Sequence, residues 1–236
     1  MEELESVTDT SDPSIVTTLE YRPGLWAKKI LVYLAGLFVL AMGVSFSVKT
    51  QLGVSPMNVL PYVLSRVFFW SQGTWVAITY SIFVLAQIAI LGKKFRPVNL
   101  LQFAASMLFG YFVNVCNMLV TELELLSYPL NLLFMLIGIL CISTGISAYL
   151  AAGLLPLSPE GLLLAVQQKT GRKFPALKFI FDCTLVILAF LFSFFTGNGI
   201  IGLGEGTILT ALCLGPTIGI VTKLTGRQLR AFCGTK

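Results

Sequence analysis

Histidine is absent from all 236 residues, and only 11% of them carry a charge. The first absence removes the commonest general base and metal ligand at neutral pH. The second sets the chain far from soluble domains of this length, which carry near a quarter, and leaves no room for a separate soluble unit. The five cysteines, Cys116, Cys141, Cys183, Cys213 and Cys233, include no C-x-x-C pair, and four lie inside apolar segments. That speaks against disulfides and against a zinc site. The glycine-rich run GNGIIGLGEG (Gly197–Gly206) follows no strand and precedes an apolar segment, so it is a poor phosphate loop. No catalytic triad is visible. The expectation is a protein that is not an enzyme and holds no cofactor and no metal. Its net charge of +5 belongs to membrane-flanking loops rather than to a nucleic-acid surface.

What is abundant is apolar sequence: 56% hydrophobic residues, with a mean hydropathy of +0.87. Runs long enough to cross a bilayer recur along the chain. Six spans are read, at about Ile30–Val48, Trp75–Leu91, Val98–Val120, Leu130–Ala152, Phe174–Thr196 and Thr207–Thr222. The second and sixth are short for a full crossing. Residues 1–27 differ, with Glu2, Glu3, Glu5, Asp9, Asp12 and Glu20 among Ser, Thr and Pro. A secretory signal begins basic, so this acidic stretch reads instead as a disordered cytoplasmic tail. Of the 16 lysines and arginines, only Lys49 and Arg66 fall on the side opposite the others when the N-terminus is placed inside. The positive-inside rule then gives cytoplasmic N- and C-termini.

Two stretches resemble each other. In GLFVLAMGVSFSVKTQLGVSPMN, Gly36, Gly43 and Ser55-Pro56 align with Gly138, Gly145 and Ser158-Pro159 of GILCISTGISAYLAAGLLPLSPEG. The chain reads as two units, 28–128 and 129–236, each with three spans. An odd number of spans turns the second unit upside down, the inverted repeat common in transporters. The fold class expected is therefore an all-α membrane protein of six transmembrane helices in two inverted three-span repeats. After its first span each repeat has a short helix opening at Ser55-Pro56 or Ser158-Pro159. Serine suits an N-cap and proline the first turn. Two placements are open for these helices: re-entrant, with N-terminal N–H groups offered to an anion, or flat at the interface.

Small residues recur every seven positions, at Gly36, Gly43 and Thr50 and at Asn131, Gly138, Gly145 and Ala152, which suits close packing of the first and fourth spans. Along the third span, Asn99, Gln102, Ser106, Gly110, Asn114 and Asn117 share one face at ~100° per residue. Amides are costly in lipid, so this stripe either bonds to other helices or lines a polar path. Asp182 lies roughly two turns into the fifth span, four residues after Lys178 on the same face. A functional acid and a structural ion pair are both open. Glu160, in the first turn after Ser158-Pro159, is either a dipole-favoured carboxylate or an acid at a re-entrant tip. Glu205, in GLGEGT, either caps the sixth span or lies where glycines permit close backbone approach.

The turn SPEG, the following FPALKFIFD, the GEGT opening the last span and the LLQ…GYF of the third together resemble the YczE/YitT-type bacterial membrane proteins, over essentially the whole chain after about residue 28. The resemblance implies that Glu160, Lys178, Asp182, Glu205 and Gln102 occupy recurring polar positions. It also implies a departure at Asn114, where the family often has an acid. A bacterial inner-membrane location follows from it. It supplies no substrate. The function expected is a secondary transporter or facilitator of a small polar metabolite, with Glu160 and Asp182 as proton- or cation-responsive groups, Lys178 setting the charge state of Asp182 or holding an anionic substrate, and Ser158, Ser55, Gln102, Asn114 and Glu205 as further substrate- or ion-binding candidates. The alternatives are a substrate-binding subunit of a larger vitamin-type transporter and a non-transporting scaffold or regulator. The partners expected are the lipid bilayer and an unidentified small polar solute, with a homo-oligomer left open and no nucleic acid.

Overall fold

A computed structural model of the protein describes residues 23–123, 127–196, 199 and 201–234. The acidic stretch read as a tail lies outside the described residues up to residue 22, and so does Glu124. Among the described residues all regular structure is helical: α1 (Pro23–Lys49), α2 (Pro56–Phe68), α3 (Gln72–Leu91), α4 (Leu101–Leu119), α5 (Tyr128–Ala151), α6 (Ser158–Thr170), α7 (Phe174–Phe195), α8 (Glu205–Val221) and α9 (Arg227–Cys233). Short 3-10 turns at Gly92–Lys94 and Pro97–Leu100 join α3 to α4. Six helical segments are long and apolar enough to span: Leu25–Lys49, Gln72–Lys94, Pro97–Leu119, Tyr128–Ala151, Ala176–Phe195 and Glu205–Cys233. This is a multi-pass membrane protein.

Proline sets several of these boundaries. α2, α5, α6 and α7 each carry one in the first turn, where its missing N–H costs nothing. α6 stops at Gly171, whose φ of 67° is the left-handed conformation that closes a helix, and whose N–H bonds to Gln167 O. The sixth span is longer than its hydropathy suggests. Lys223 interrupts the apolar run but not the helix, which continues through a π turn (Thr222–Gly226) into α9. There the Lys28 ammonium lies 4.9 Å from the Phe232 ring centre, tying the last helix to the first turns of α1.

The packing centre is the crossing of α1 and α5. A Cβ added to Gly43 would sit 2.6 Å from Gly138 O, and one added to Gly145 would sit 2.5 Å from Leu40 N. The backbones touch where the recurring glycines predict. Around this seam lie the fully buried Leu37, Ala41, Val44 and Tyr149. α4 packs on α1, and α8 packs on α5. The short α2 lies against α7, and the short α6 against α3. α3 and α4 meet at a second glycine contact, since a Cβ on Gly110 would lie 2.3 Å from Gly73 O. No comparable packing joins α7 to α8 among the described residues.

α2 and α6 have 13 residues each, about 20 Å of helix, which is too short to cross a ~30 Å hydrocarbon core. One buried cluster draws on both of them. Met57, the second residue of α2, shares one buried cluster with Leu163 of α6 and Leu177 of α7. The connection from α1 to α2 is braced by the glycine-rich run before α8: Val54 N bonds to Gly202 O at 2.9 Å and Gly206 N to Leu52 O at 2.8 Å.

The glycine seam gives the first prediction. Gly43→Ala should lower stability by about 1–3 kcal/mol through overpacking. Gly215→Ala, where an added Cβ meets nothing within 4 Å, should be neutral or stabilising by up to about 1 kcal/mol. Thermal unfolding of the two purified variants checks the contrast.

Candidate functional site

The first turn of α6 is held by a hydrogen-bonded receptor on α3 and α4. Gln87 Nε2 donates to Ser158 O at 3.1 Å and to Gln102 Oε1 at 2.8 Å. The Ser158 and Ser106 hydroxyls bond at 2.7 Å, and Ser106 Oγ also lies 2.6 Å from Gln102 O. Gly161 fits against both amides: a Cβ there would meet Gln102 Nε2 at 2.8 Å and Gln87 Oε1 at 2.9 Å. Ser158 and Gln102 are thus brought together, but as a buried clamp. The expectation that the serines cap their own helices is corrected. Ser158 gives its hydroxyl to α4, and Ser55 Oγ accepts from the Asn58 side chain at 3.1 Å, with neither capping a backbone N–H. Ser158 is satisfied by a tertiary partner and Ser55 by a side chain of its own helix's first turn.

Beyond the clamp lies Glu160. The residue is half-buried, but its Oε2 is shut off from solvent with no hydrogen-bond partner among the described residues. The hydroxyls of Tyr33 (α1) and Tyr149 (α5) are buried and unpartnered in the same way. The two rings meet edge to face at 6.1 Å. The Tyr149 hydroxyl faces the Glu160 carboxyl without closing a hydrogen bond on it, and Tyr33 is within electrostatic reach of the same carboxyl. Buried polar atoms are bonded in all but a few cases. Two hydroxyls and a carboxylate oxygen lie close together without a hydrogen-bond partner among the described residues, an arrangement that can take up a proton.

Lys178 and Asp182 are joined by both carboxylate oxygens, at 2.7 and 2.8 Å, in a half-exposed ion pair on α7. Asp182 is therefore closed in an ion pair, whereas Glu160 Oε2 has no hydrogen-bond partner among the described residues. Tyr80 of α3, almost fully buried, feels both acids and reaches Asn58 Oδ1 at 3.4 Å, on the first turn of α2. Hydrogen bonds thus join Ser55, Asn58 and Tyr80, with Asp182 and Glu160 within electrostatic reach of the last.

The remaining expected positions lie elsewhere. Asn114 Oδ1 accepts from Gly73 N at 2.8 Å, and its amide donates to Ser71 Oγ at 3.0 Å. Asn117 donates to Gln72 Oε1 at 3.0 Å. The third-span stripe therefore serves mainly as helix–helix glue, with Asn114 and Asn117 also lining a cavity at that end of the bundle. Glu205 is exposed at the start of α8, beside Tyr128, and joins none of the other acids. Gln87, Tyr33, Tyr80 and Tyr149 were not anticipated. Gln87 carried a signal, an amide deep inside a mostly apolar span. The tyrosines carried none, because a tyrosine in a span reads as an ordinary aromatic.

Residues 27–223 match the Family of unknown function (DUF6198). The chain is 27% identical over 185 residues to the uncharacterized membrane protein YczE of Bacillus subtilis (strain 168), covering 78% of this chain and 80% of YczE. It is 29% identical over 188 residues to the uncharacterized protein YyaS of the same organism, covering 79% of this chain and 88% of YyaS. No solved structure matches.

Glu160 lies outside the six spans. Burial holds its carboxyl above the ordinary value of 4.5; its own backbone N–H, the Lys178 ammonium and the Tyr149 hydroxyl pull the other way. A carboxyl raised in the folded state favours the protonated form. Its contribution to stability is therefore full below about pH 4.5 and is lost as pH rises through the raised value. The melting temperature of the wild type should fall over that rise, and Glu160→Gln should flatten the fall. Parallel curves for the two proteins would remove Glu160 as its source.

Proposed function

The chain belongs to the DUF6198 family of YczE-type membrane proteins, and from the interior it builds we propose that it is a secondary transporter or facilitator of a small polar solute. The observation that carries this reading is the cluster of Glu160 Oε2, Tyr149 Oη and Tyr33 Oη, all buried and all unpaired among the described residues. A scaffold gains nothing from leaving such groups unsatisfied, at about 1–3 kcal/mol each. A solute or ion site must leave them so until its ligand arrives.

The helix pairings support an inverted repeat. Exchanging α1 with α5, α2 with α6, α3 with α7 and α4 with α8 turns the α2–α7 pairing into α6–α3, and α1–α4 into α5–α8. The glycine seam between α1 and α5 then lies on the pseudo-twofold axis. α2 and α6 enter from opposite sides as re-entrant helices that share a buried cluster, near the usual position of a transporter's solute site. With basic residues concentrated at one side, both termini face the cytoplasm of a bacterial inner membrane.

In this scheme Glu160 is the group that takes up and releases a proton or cation. Lys178 pairs with Asp182 and holds it in place, and Tyr80 stands between the acids and the tip of α2. The clamp of Gln87, Gln102 and Ser106 fixes the position of Glu160. Proteoliposomes loaded with a pH-sensitive dye and exposed to a set of small organic acids, amines and sugars provide the test. At least one solute should drive a lumenal pH change, slowed roughly tenfold or more by Glu160→Gln. Asp182→Asn should weaken it less. Full rates in both variants, or no solute-driven change in the wild type, would refute the scheme.

A further inference from the structure

The end of the bundle away from most of the basic residues holds a cavity of about 920 Å³, walled by the ends of α1, α2 and α4 and the start of α3. Lys49 and Arg66, which sequence reading places apart from the other fourteen bases, both line it. The Lys49 ammonium spends one donor on Thr121 O at 2.7 Å and keeps two more. Arg66 is exposed, and its guanidinium stacks 5.2 Å from the centre of the Tyr62 ring. Neither forms an ion pair among the described residues. Glu122 is exposed and is not part of the lining.

Three further features converge on the same space. Ser45 Oγ, Gln72 Nε2 and Asn117 Oδ1, all on lining residues, are buried without a hydrogen-bond partner among the described residues. Gln51 (φ 56°) and Phe69 (φ 57°) are the non-glycine residues in left-handed conformation among the described residues, and both line this cavity. At Phe69 this conformation closes α2, and Gln51 stands just past the end of α1. Tyr62, Phe69 and Trp70 supply an aromatic wall. A second cavity of about 370 Å³ shares Tyr62 and Arg66 with the first, so the stacked pair lies where the two meet.

We infer that this cavity is a capture site for a small carboxylate with a planar apolar body. The guanidinium fork matches a carboxylate with two parallel N–H bonds. The Lys49 ammonium supplies a second positive charge, and the aromatic wall covers the apolar part. The inference gives a solute class to the transport reading and rests on it only for passage beyond the cavity; capture stands on the cavity itself.

Radiolabelled benzoate is the probe, measured by scintillation proximity on the full chain in phosphatidylcholine nanodiscs. Saturable binding is expected, displaced by unlabelled benzoate but not by benzyl alcohol or benzylamine. Arg66→Gln should weaken it roughly tenfold or more, Arg66→Lys should weaken it less, and Gly215→Ala should bind as the wild type. Because Arg66 is exposed, the melting temperatures should stay together; Lys49→Gln gives a second reading of the same charge dependence. Absence of saturable binding, equal affinity in Arg66→Gln and Lys49→Gln, or loss of benzoate binding when phosphatidylglycerol is added to the disc would each overturn the assignment, the last by making a lipid headgroup the occupant. Benzoate bound without any solute-driven pH change leaves the capture site standing and removes the transport reading, whereas such a change without benzoate binding removes this inference alone.

Discussion

The backbone contact between α1 and α5 is the constraint on which the rest of the molecule depends. Helices in lipid gain little from burying apolar surface against one another, so close approach has to come from small residues. Gly36, Gly43, Gly138 and Gly145 bring two backbones into touch over several turns. That contact fixes the spacing at which Tyr33 on α1 and Tyr149 on α5 face each other. It also sets the distance at which α4 and α8 attach on either flank. A wider seam would separate the two tyrosines and leave Glu160 without its neighbours.

A second constraint concerns polar groups far from bulk water. The interior treats its amides and acids in two different ways. Gln87, Gln102, Ser106 and Ser158 satisfy one another and behave as a rigid joint. Glu160, Tyr33 and Tyr149 do not. The two sets adjoin at the start of α6, so a group left open is held at a fixed position by groups that are closed. A fully open site would lose its geometry, and a fully closed one would have no capacity to bind.

Much of this architecture was legible in the sequence, and the parts that were share a cause. Ser-Pro boundaries, heptad-spaced glycines and the Lys178–Asp182 spacing are local signals, decided within a few residues of chain. The six spans followed from hydropathy, except where Lys223 hid the continuation of the last helix. What could not be read was which polar residues find partners. Ser158 looked like a cap and is a tertiary bond; the third-span stripe looked equally like glue or lining and is mostly glue. Tyr33 and Tyr149 acquire meaning only because α1, α5 and α6 meet, a fact no window of sequence contains.

The clamp at the start of α6 also bears on how the chain is made. Its receptor consists of residues 87–106, all synthesised before Ser158 leaves the ribosome. The polar tip of α6 can therefore dock as soon as it emerges. The short α2 has the opposite history, since its main support, α7, begins more than a hundred residues later. Through most of translation α2 lacks the surface it finally lies against, so the first half of the protein is completed only by the second.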